Sequence, residues 1–211
     1  MKKIYCILLF GAIAVVSCKK NNVIGTDNGC ITRIRAHNIG GADSLAAAKL
    51  LQQNNIPNGN LGIERVILND TITNILGTTV YQHVFALQYF NGLQLFNSDM
   101  GYHFKDGVLQ SSSGTRYSSI NLNTVPSLSL LQVRKLYVDE LSKDSYKAVL
   151  TYKDSCLVAE FGYFNLNTTG TATDFVKVWR VSPKNSSYPQ AFFLDNTGST
   201  LSYFNGLETV N

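Results

Sequence analysis

Two short motifs, Asn91-Gly92 and Lys105-Asp106-Gly107, constrain the fold of this chain more tightly than anything else in it. Each sits between runs in which apolar residues recur at every second position, at 80–90, 93–104 and 108–117, and a further run at 63–68 precedes them. Asn, Asp and Gly accept the positive φ that a two-residue hairpin needs, so these signals predict an antiparallel meander. A helix is expected ahead of it: Asp43-Ser44 reads as a capping pair, and Leu45, Ala48 and Leu51 form one stripe before the stop at Ile56-Pro57-Asn58-Gly59.

The same order then starts again. Pro126 interrupts the strand pattern, and Ser129 with Gln132 has the spacing of a capping box ahead of an amphipathic helix at 130–141. Strands are expected at 146–152, 156–164, 175–182, 191–195 and 200–204, with turns at Lys153-Asp154 and Asn196-Thr197-Gly198. Helix then sheet, twice, is an α+β arrangement of two helix-plus-antiparallel-sheet subdomains, 31–117 and 118–211, rather than alternating βαβ units.

Composition suits a β-rich secreted or envelope protein. Only 15% of the 211 residues are charged, against about 25% in ordinary soluble domains; Asn, Ser and Thr carry the polar positions instead. Nucleic acid is excluded as a partner, because two of the 18 basic residues, Lys2 and Lys3, fall in the leader and the formal +4 drops to +2 without them.

Residues 1–17 combine two lysines, an apolar run and a small residue, the pattern of a signal peptide. The run falls short of the ~20 apolar residues of a membrane span. Cys18, directly after Val15-Val16-Ser17, stands where a bacterial lipobox places its lipidated cysteine, so 18–30 reads as lipidated Cys and polar tether; the other reading is an ordinary secretory signal. Lys19 is not the aspartate associated with inner-membrane retention, which favours an outer-membrane anchor on either of its faces. Once Cys6 leaves with the leader and Cys18 takes lipid, Cys30 and Cys156 remain in an oxidising compartment. They either bridge, closing a loop worth about 4 kcal/mol of chain entropy, or remain two separate buried thiols.

Catalytic patterns are missing from the sequence. It has three histidines, His37, His83 and His103, and no HExxH. Regular register across Asn91-Gly92 sets residue 83 opposite residue 100, which puts His103 on the other sheet face unless a bulge intervenes. No shared metal is expected from that pairing. There is also no Gly-x-Ser-x-Gly elbow or phosphate loop, and Asp139-Glu140 point apart on a helix. The reading is therefore no catalytic residue, no metal and no cofactor: not an enzyme.

The stretch HVFALQYFNGLQLFNSDMGYHFKDGVLQSSSGTRY, residues 83–117, resembles the FTP domain of thermolysin- and fungalysin-type propeptides through His83-Val84-Phe85, Gln88-Tyr89, Asn91-Gly92, Leu95-Phe96, Asp106-Gly107 and Gly114. Downstream, PSLSLLQVRKL (126–136), FVKVWRVSP (175–183) and FFLDNTGSTLSYFNG (192–206) resemble the companion PepSY region, with Trp179-Arg180-Val181 closing a strand and Asp195 and Gly198 in the last hairpin. The resemblance implies an FTP-like subdomain followed by a PepSY/cystatin-like one. It further implies a non-catalytic lipoprotein that binds, and inhibits or chaperones, a thermolysin-type metallopeptidase whose protease domain this sequence does not contain. In that family the end of the proregion runs toward the protease cleft, which makes Asn205, Leu207, Glu208 and Val210 the candidate partner-binding tail. The alternative is a non-catalytic envelope scaffold for a peptide, a glycan or another lipoprotein, bound at a sheet edge. Cys18→Ser is expected to abolish labelling by radioactive palmitate and to release the protein from the membrane fraction, read by fractionation and blotting.

Overall fold

The computed structural model describes residues 30–35, 41–167 and 173–207. The leader, Cys18, His37, Glu208 and Val210 lie outside them. Among the described residues, nine strands and two 12-residue α-helices run in the order β1 (Ile31–Ile34), α1 (Ala42–Gln53), β2 (Leu61–Asn74), β3 (Gly77–Phe90), β4 (Leu93–Lys105), β5 (Val108–Ser113), α2 (Leu130–Leu141), β6 (Leu157–Asn165), β7 (Phe175–Pro183), β8 (Gln190–Leu194) and β9 (Thr200–Phe204). No helix among the described residues is long and apolar enough to cross a membrane.

The meander forms where the turn chemistry places it. Asn91 and Gly92 take φ of 52° and 78°, and Asp106 and Gly107 take 49° and 81°, the paired positive values of a two-residue hairpin turn. The two halves, however, share one mixed, sheet-rich layer rather than forming separate antiparallel sheets. Its order is β2-β3-β4-β6-β7-β8-β9, with β5 on β4 and β1 on β6. The halves meet where β4 and β6 run parallel at Leu95 and Tyr163. Backbone pairing there is extended by side chains: Asn97 Nδ2 donates to the Asn165 carbonyl at 2.7 Å, and the Asn165 N–H donates to Asn97 Oδ1 at 3.0 Å. The strands approach so closely that a Cβ on Gly162 would stand 2.5 Å from the Gln94 carbonyl oxygen.

The junction depends on an irregularity in β4. Ala86 pairs with Met100 and Gln88 with Leu95, so four residues of β4, 96–99, stand opposite one of β3. The insertion of three is odd, and it returns Leu95 and Met100 to the same side of the sheet. Both helices consequently cover one face. Ala47, Leu50 and Leu51 of α1 pack on Val84, Ala86, Met100, Tyr102 and Phe104. Val133, Tyr137 and Leu141 of α2 pack on Ala159, Phe161, Trp179, Val181 and Phe193. Phe90, Leu95, Ile120 and Tyr163 form a third cluster, which shares Leu93 with the α2 core. Buried Gln88 serves the irregular backbone, donating to the Thr115 carbonyl at 2.8 Å and accepting from the Tyr117 N–H at 2.9 Å.

Several elements depart from the sequence expectation. α1 starts at Ala42 behind Gly41, with no side-chain cap, in place of the Asp43-Ser44 start. It buries Ala47, Leu50 and Leu51 while Leu45 stays 73% exposed, because the small side chain of Ala47 lets the helix lie close on the strands along that line. α2 has the capping box: Ser129 Oγ accepts from the Gln132 N–H at 3.3 Å, and the Ser129 N–H donates to Gln132 Oε1 at 2.8 Å. The strand expected at 146–152 is a 3₁₀ helix, Lys147–Asp154. Asp144 Oδ1 accepts from the Tyr146 N–H at 2.7 Å and starts the turn, and Val149 and Tyr152, three apart, both reach the α2 core. β1 had no alternating signal, since three of its four residues are exposed. It lies beside β6 in the second half of the sheet, parallel, with Ile31 opposite Leu157.

Asp195, fully buried, binds the α2 entry to the sheet. It accepts from the N–H groups of Ser127, at 2.8 and 2.9 Å, and Leu128, at 3.1 Å, and from Trp179 Nε1 at 3.0 Å, and it faces Lys177 Nζ at 3.3 Å. Burial pushes the carboxyl up, but those donors outweigh it and hold it below its ordinary value. A folded value below the unfolded one means that its stabilisation is complete above the unfolded 3.8 and is lost as pH falls through the folded value. Asp195→Asn is expected to lower the unfolding free energy by about 2–4 kcal/mol and to flatten the acid limb of the stability profile, both measured by urea titration.

Candidate functional site

Opposite the helices, no helix among the described residues covers the sheet, and its centre carries an ion pair beside a cluster of aromatic side chains. On β6 and β7, Phe161 and Trp179 face α2, so their neighbours Glu160 and Arg180, paired in register, face the open side. Arg180 Nη2 donates to Glu160 Oε2. Glu160 is only 3% exposed, and its Oε1 has no hydrogen-bond partner among the described residues. The Arg180 guanidinium lies 4.7 Å from the centre of the Phe96 ring. Phe96 and Phe164 each meet Phe192 edge to face, at 5.5 and 5.8 Å, and all three rings are half-buried. Phe96 reaches this position from the β4 insertion, as does Asp99.

The local field is mixed in sign. Burial raises the carboxyl of Asp99, against the opposing pull of Arg180. The Tyr89 hydroxyl is pushed up to about 12, by burial first and by the charge of Glu160 second. Beside the pair opens a groove of about 440 Å³, lined among others by Ile34, Glu160, Arg180, Ser182, Lys184 and Gln190. Its rim is tethered by a disulfide between Cys30 and Cys156, residues 126 apart in sequence, which anchors the start of β1 to the start of β6. The Lys184 N–H donates to the Cys156 carbonyl at 2.8 Å, which ties the β7–β8 loop to the same anchor. An uncompensated carboxylate oxygen in a groove and an arginine under an aromatic ring are equipped to receive N–H donors and a planar or apolar group.

Of the expected tail, Asn205 and Leu207 are among the described residues. β9 is hydrogen-bonded to β8 as far as Phe204, opposite Gln190. Asn205 is half-buried and accepts from the Leu207 N–H at 2.9 Å, while Leu207 is exposed. Trp179 is core, and Arg180, its neighbour in the Trp-Arg-Val motif, is the residue that reaches the open face.

The geometric ground for separating His83 and His103 does not hold. With three extra residues in β4, His83 stands opposite His103 and not opposite Met100. The Nδ1 atoms are 2.6 Å apart. The sequence did carry the signal: apolar positions in β4 run odd at Leu93 and Leu95 and even at Met100, Tyr102 and Phe104, a change of phase that requires an odd insertion between them. Among the described residues, no three His, Cys, Asp or Glu side chains converge in a metal-binding group.

No protein-family model matches this chain, and neither does any curated protein. Among solved structures it is similar to the Bacillus megaterium YpeB C-terminal domain, with 15% identity and a TM-score of 0.39, over 82% of this chain and 67% of that one.

Arg180→Ala leaves the Glu160 carboxylate buried without its counter-charge and is expected to cost about 3 kcal/mol of stability, whereas Glu160→Leu with Arg180→Met is expected to fall within about 1 kcal/mol of the wild type; urea unfolding of both variants checks the contrast.

Proposed function

We propose that this chain is a non-catalytic cell-envelope lipoprotein, built like a protease proregion, that binds a thermolysin-type metallopeptidase through the uncovered face of its sheet. The observation that carries the reading is the half-buried cluster of Phe96, Phe164 and Phe192 around Arg180. Aromatic residues and arginine at the centre of a patch are the side chains that dominate binding energy when a partner removes them from water. Glu160 holds the Arg180 fork in place, so little side-chain freedom is lost on docking. The pairing of opposite charges also argues for a polypeptide partner over a strongly charged polymer. In this reading the tail beyond β9, from Asn205 through Leu207 to Glu208 and Val210, extends toward the partner's cleft, while β9 itself stays in the sheet.

The second reading, a scaffold for a peptide, a glycan or another lipoprotein, draws on the sheet's two terminal strands, β2 and β9. β2 is 14 residues long and exposed from Asp70 to its end, a length of open edge that strand addition uses.

The deciding experiment captures partners of the full-length protein from detergent-solubilised envelope and assays azocasein cleavage by any peptidase recovered. The expected outcome is a zinc peptidase that the added protein inhibits in proportion to dose, with Phe96→Ala and Phe192→Ala each weakening inhibition by tenfold or more. Recovery of only glycans or lipoproteins, with thermolysin-type activity unchanged, overturns the peptidase reading in favour of the scaffold.

A further inference from the structure

His83 and His103 face one another from β3 and β4 on the side of the sheet that carries neither helix, and the binding role above does not use them. Their Nδ1 atoms are 2.6 Å apart, and their rings are 4.9 Å apart and inclined by 69°. At that separation one ring donates its Nδ1–H to the Nδ1 lone pair of the other. Replace the shared proton and two lone pairs converge on one point, which is what a cation with nitrogen ligands requires.

A second feature points the same way. Asp70 Oδ2 lies 3.6 Å from His83 Nε2, on the far side of that ring. It reaches this position because β2 has a register shift between Ile67 and Asp70. The contact is longer than a hydrogen bond, but the Asp70 side chain is 59% exposed, and a small turn of it brings the carboxylate onto the Nε2 proton, the arrangement in which an outer carboxylate orients a metal-binding histidine. Phe85, edge-on to His103 at 6.1 Å, packs against the second ring. Both histidines are half-buried, so the site is open to solvent on one side.

The distances are compatible with a metal after a small adjustment. Bonds of about 2.0–2.1 Å in a tetrahedral shell set two nitrogen ligands about 3.3 Å apart. The pair must therefore open by less than about 1 Å, which rotation of the two rings supplies without moving the strands. Two neutral imidazoles select Zn²⁺ and its transition-metal neighbours over Mg²⁺ and Ca²⁺, which take oxygen ligands.

The geometry points to a site for one Zn²⁺-type divalent cation between His83 Nδ1 and His103 Nδ1, with Asp70 orienting His83 and the remaining coordination positions open to water or to a donor from a bound molecule. With two protein ligands the ion is exchangeable, unlike one in a closed four-ligand site.

Calorimetric titration of zinc chloride into the full-length protein tests this directly. His83→Gln and His103→Gln are each expected to weaken zinc binding at least tenfold, Asp70→Asn about tenfold, and His37→Gln not at all. A readout free of variants comes from long-range ¹H–¹⁵N spectra of the wild type: zinc is expected to shift the Nδ1 resonances of His83 and His103, and magnesium at the same concentration to shift neither. Zinc affinity that survives the double substitution His83→Gln with His103→Gln, or imidazole resonances unmoved at millimolar zinc, overturns the site.

Discussion

The close parallel contact between β4 and β6 is the constraint on which the rest of this molecule depends. Two half-sheets, each with its own helix, become one layer because Leu95 pairs with Tyr163, the Asn97 and Asn165 side chains clasp beside them, and β1 lies along β6. β4 can serve both halves because residues 96–99 are set out of register. That odd insertion keeps Met100 and Leu95 on the helix side, so the α1 core, the α2 core and a third cluster of Phe90, Leu95, Ile120 and Tyr163 form on one face. It also delivers Phe96 to Arg180 and brings His103 opposite His83. The fold and both of its candidate sites follow from one local break in alternation.

An irregular junction leaves backbone groups that the ladder does not satisfy, and buried polar side chains take them up. Gln88 does so under the insertion, donating to the carbonyls of Ser98 and Thr115 and accepting from Tyr117. Asp195 does so at the entry to α2, where two N–H groups, an indole and an ammonium converge on one carboxylate. A chain with few charges thus uses buried polar side chains, only one of these two charged, as fixed connectors between segments far apart in sequence. Glu160 differs from these connectors. It has a partner in Arg180 on one oxygen and none among the described residues on the other, and it borders a groove, which is why it belongs to the candidate site and not to the scaffold.

What could be read from sequence was local. Asn91-Gly92 and Asp106-Gly107 announce their hairpins because only certain residues accept positive φ, and Ser129 with Gln132 announces α2 because a capping box is complete within four residues. Residues 146–152 alternate like a strand, yet Val149 and Tyr152 must both meet α2, and a three-residue pitch satisfies that. Leu45 fits the helical stripe, but the sheet, absent from any helical wheel, chose the line through Ala47, Leu50 and Leu51. β1 is four residues with little burial, and its place beside β6 comes from a partner more than a hundred residues away.

By itself the sequence determined the order of both helices and of the strands other than β1, the hairpin turns at Asn91-Gly92 and Asp106-Gly107, the cap of α2 and the expectation of an exported, lipid-anchored, weakly charged body, because each of these rests on the conformational preferences of neighbouring residues. Tertiary structure alone decided that the two halves share a mixed sheet, that both helices lie on one face, and that Arg180, Glu160, Phe96 and Phe192 meet on the other. Those outcomes depend on register between strands distant in the chain, and a shift of three residues in β4 was enough to reverse which side chains share a face.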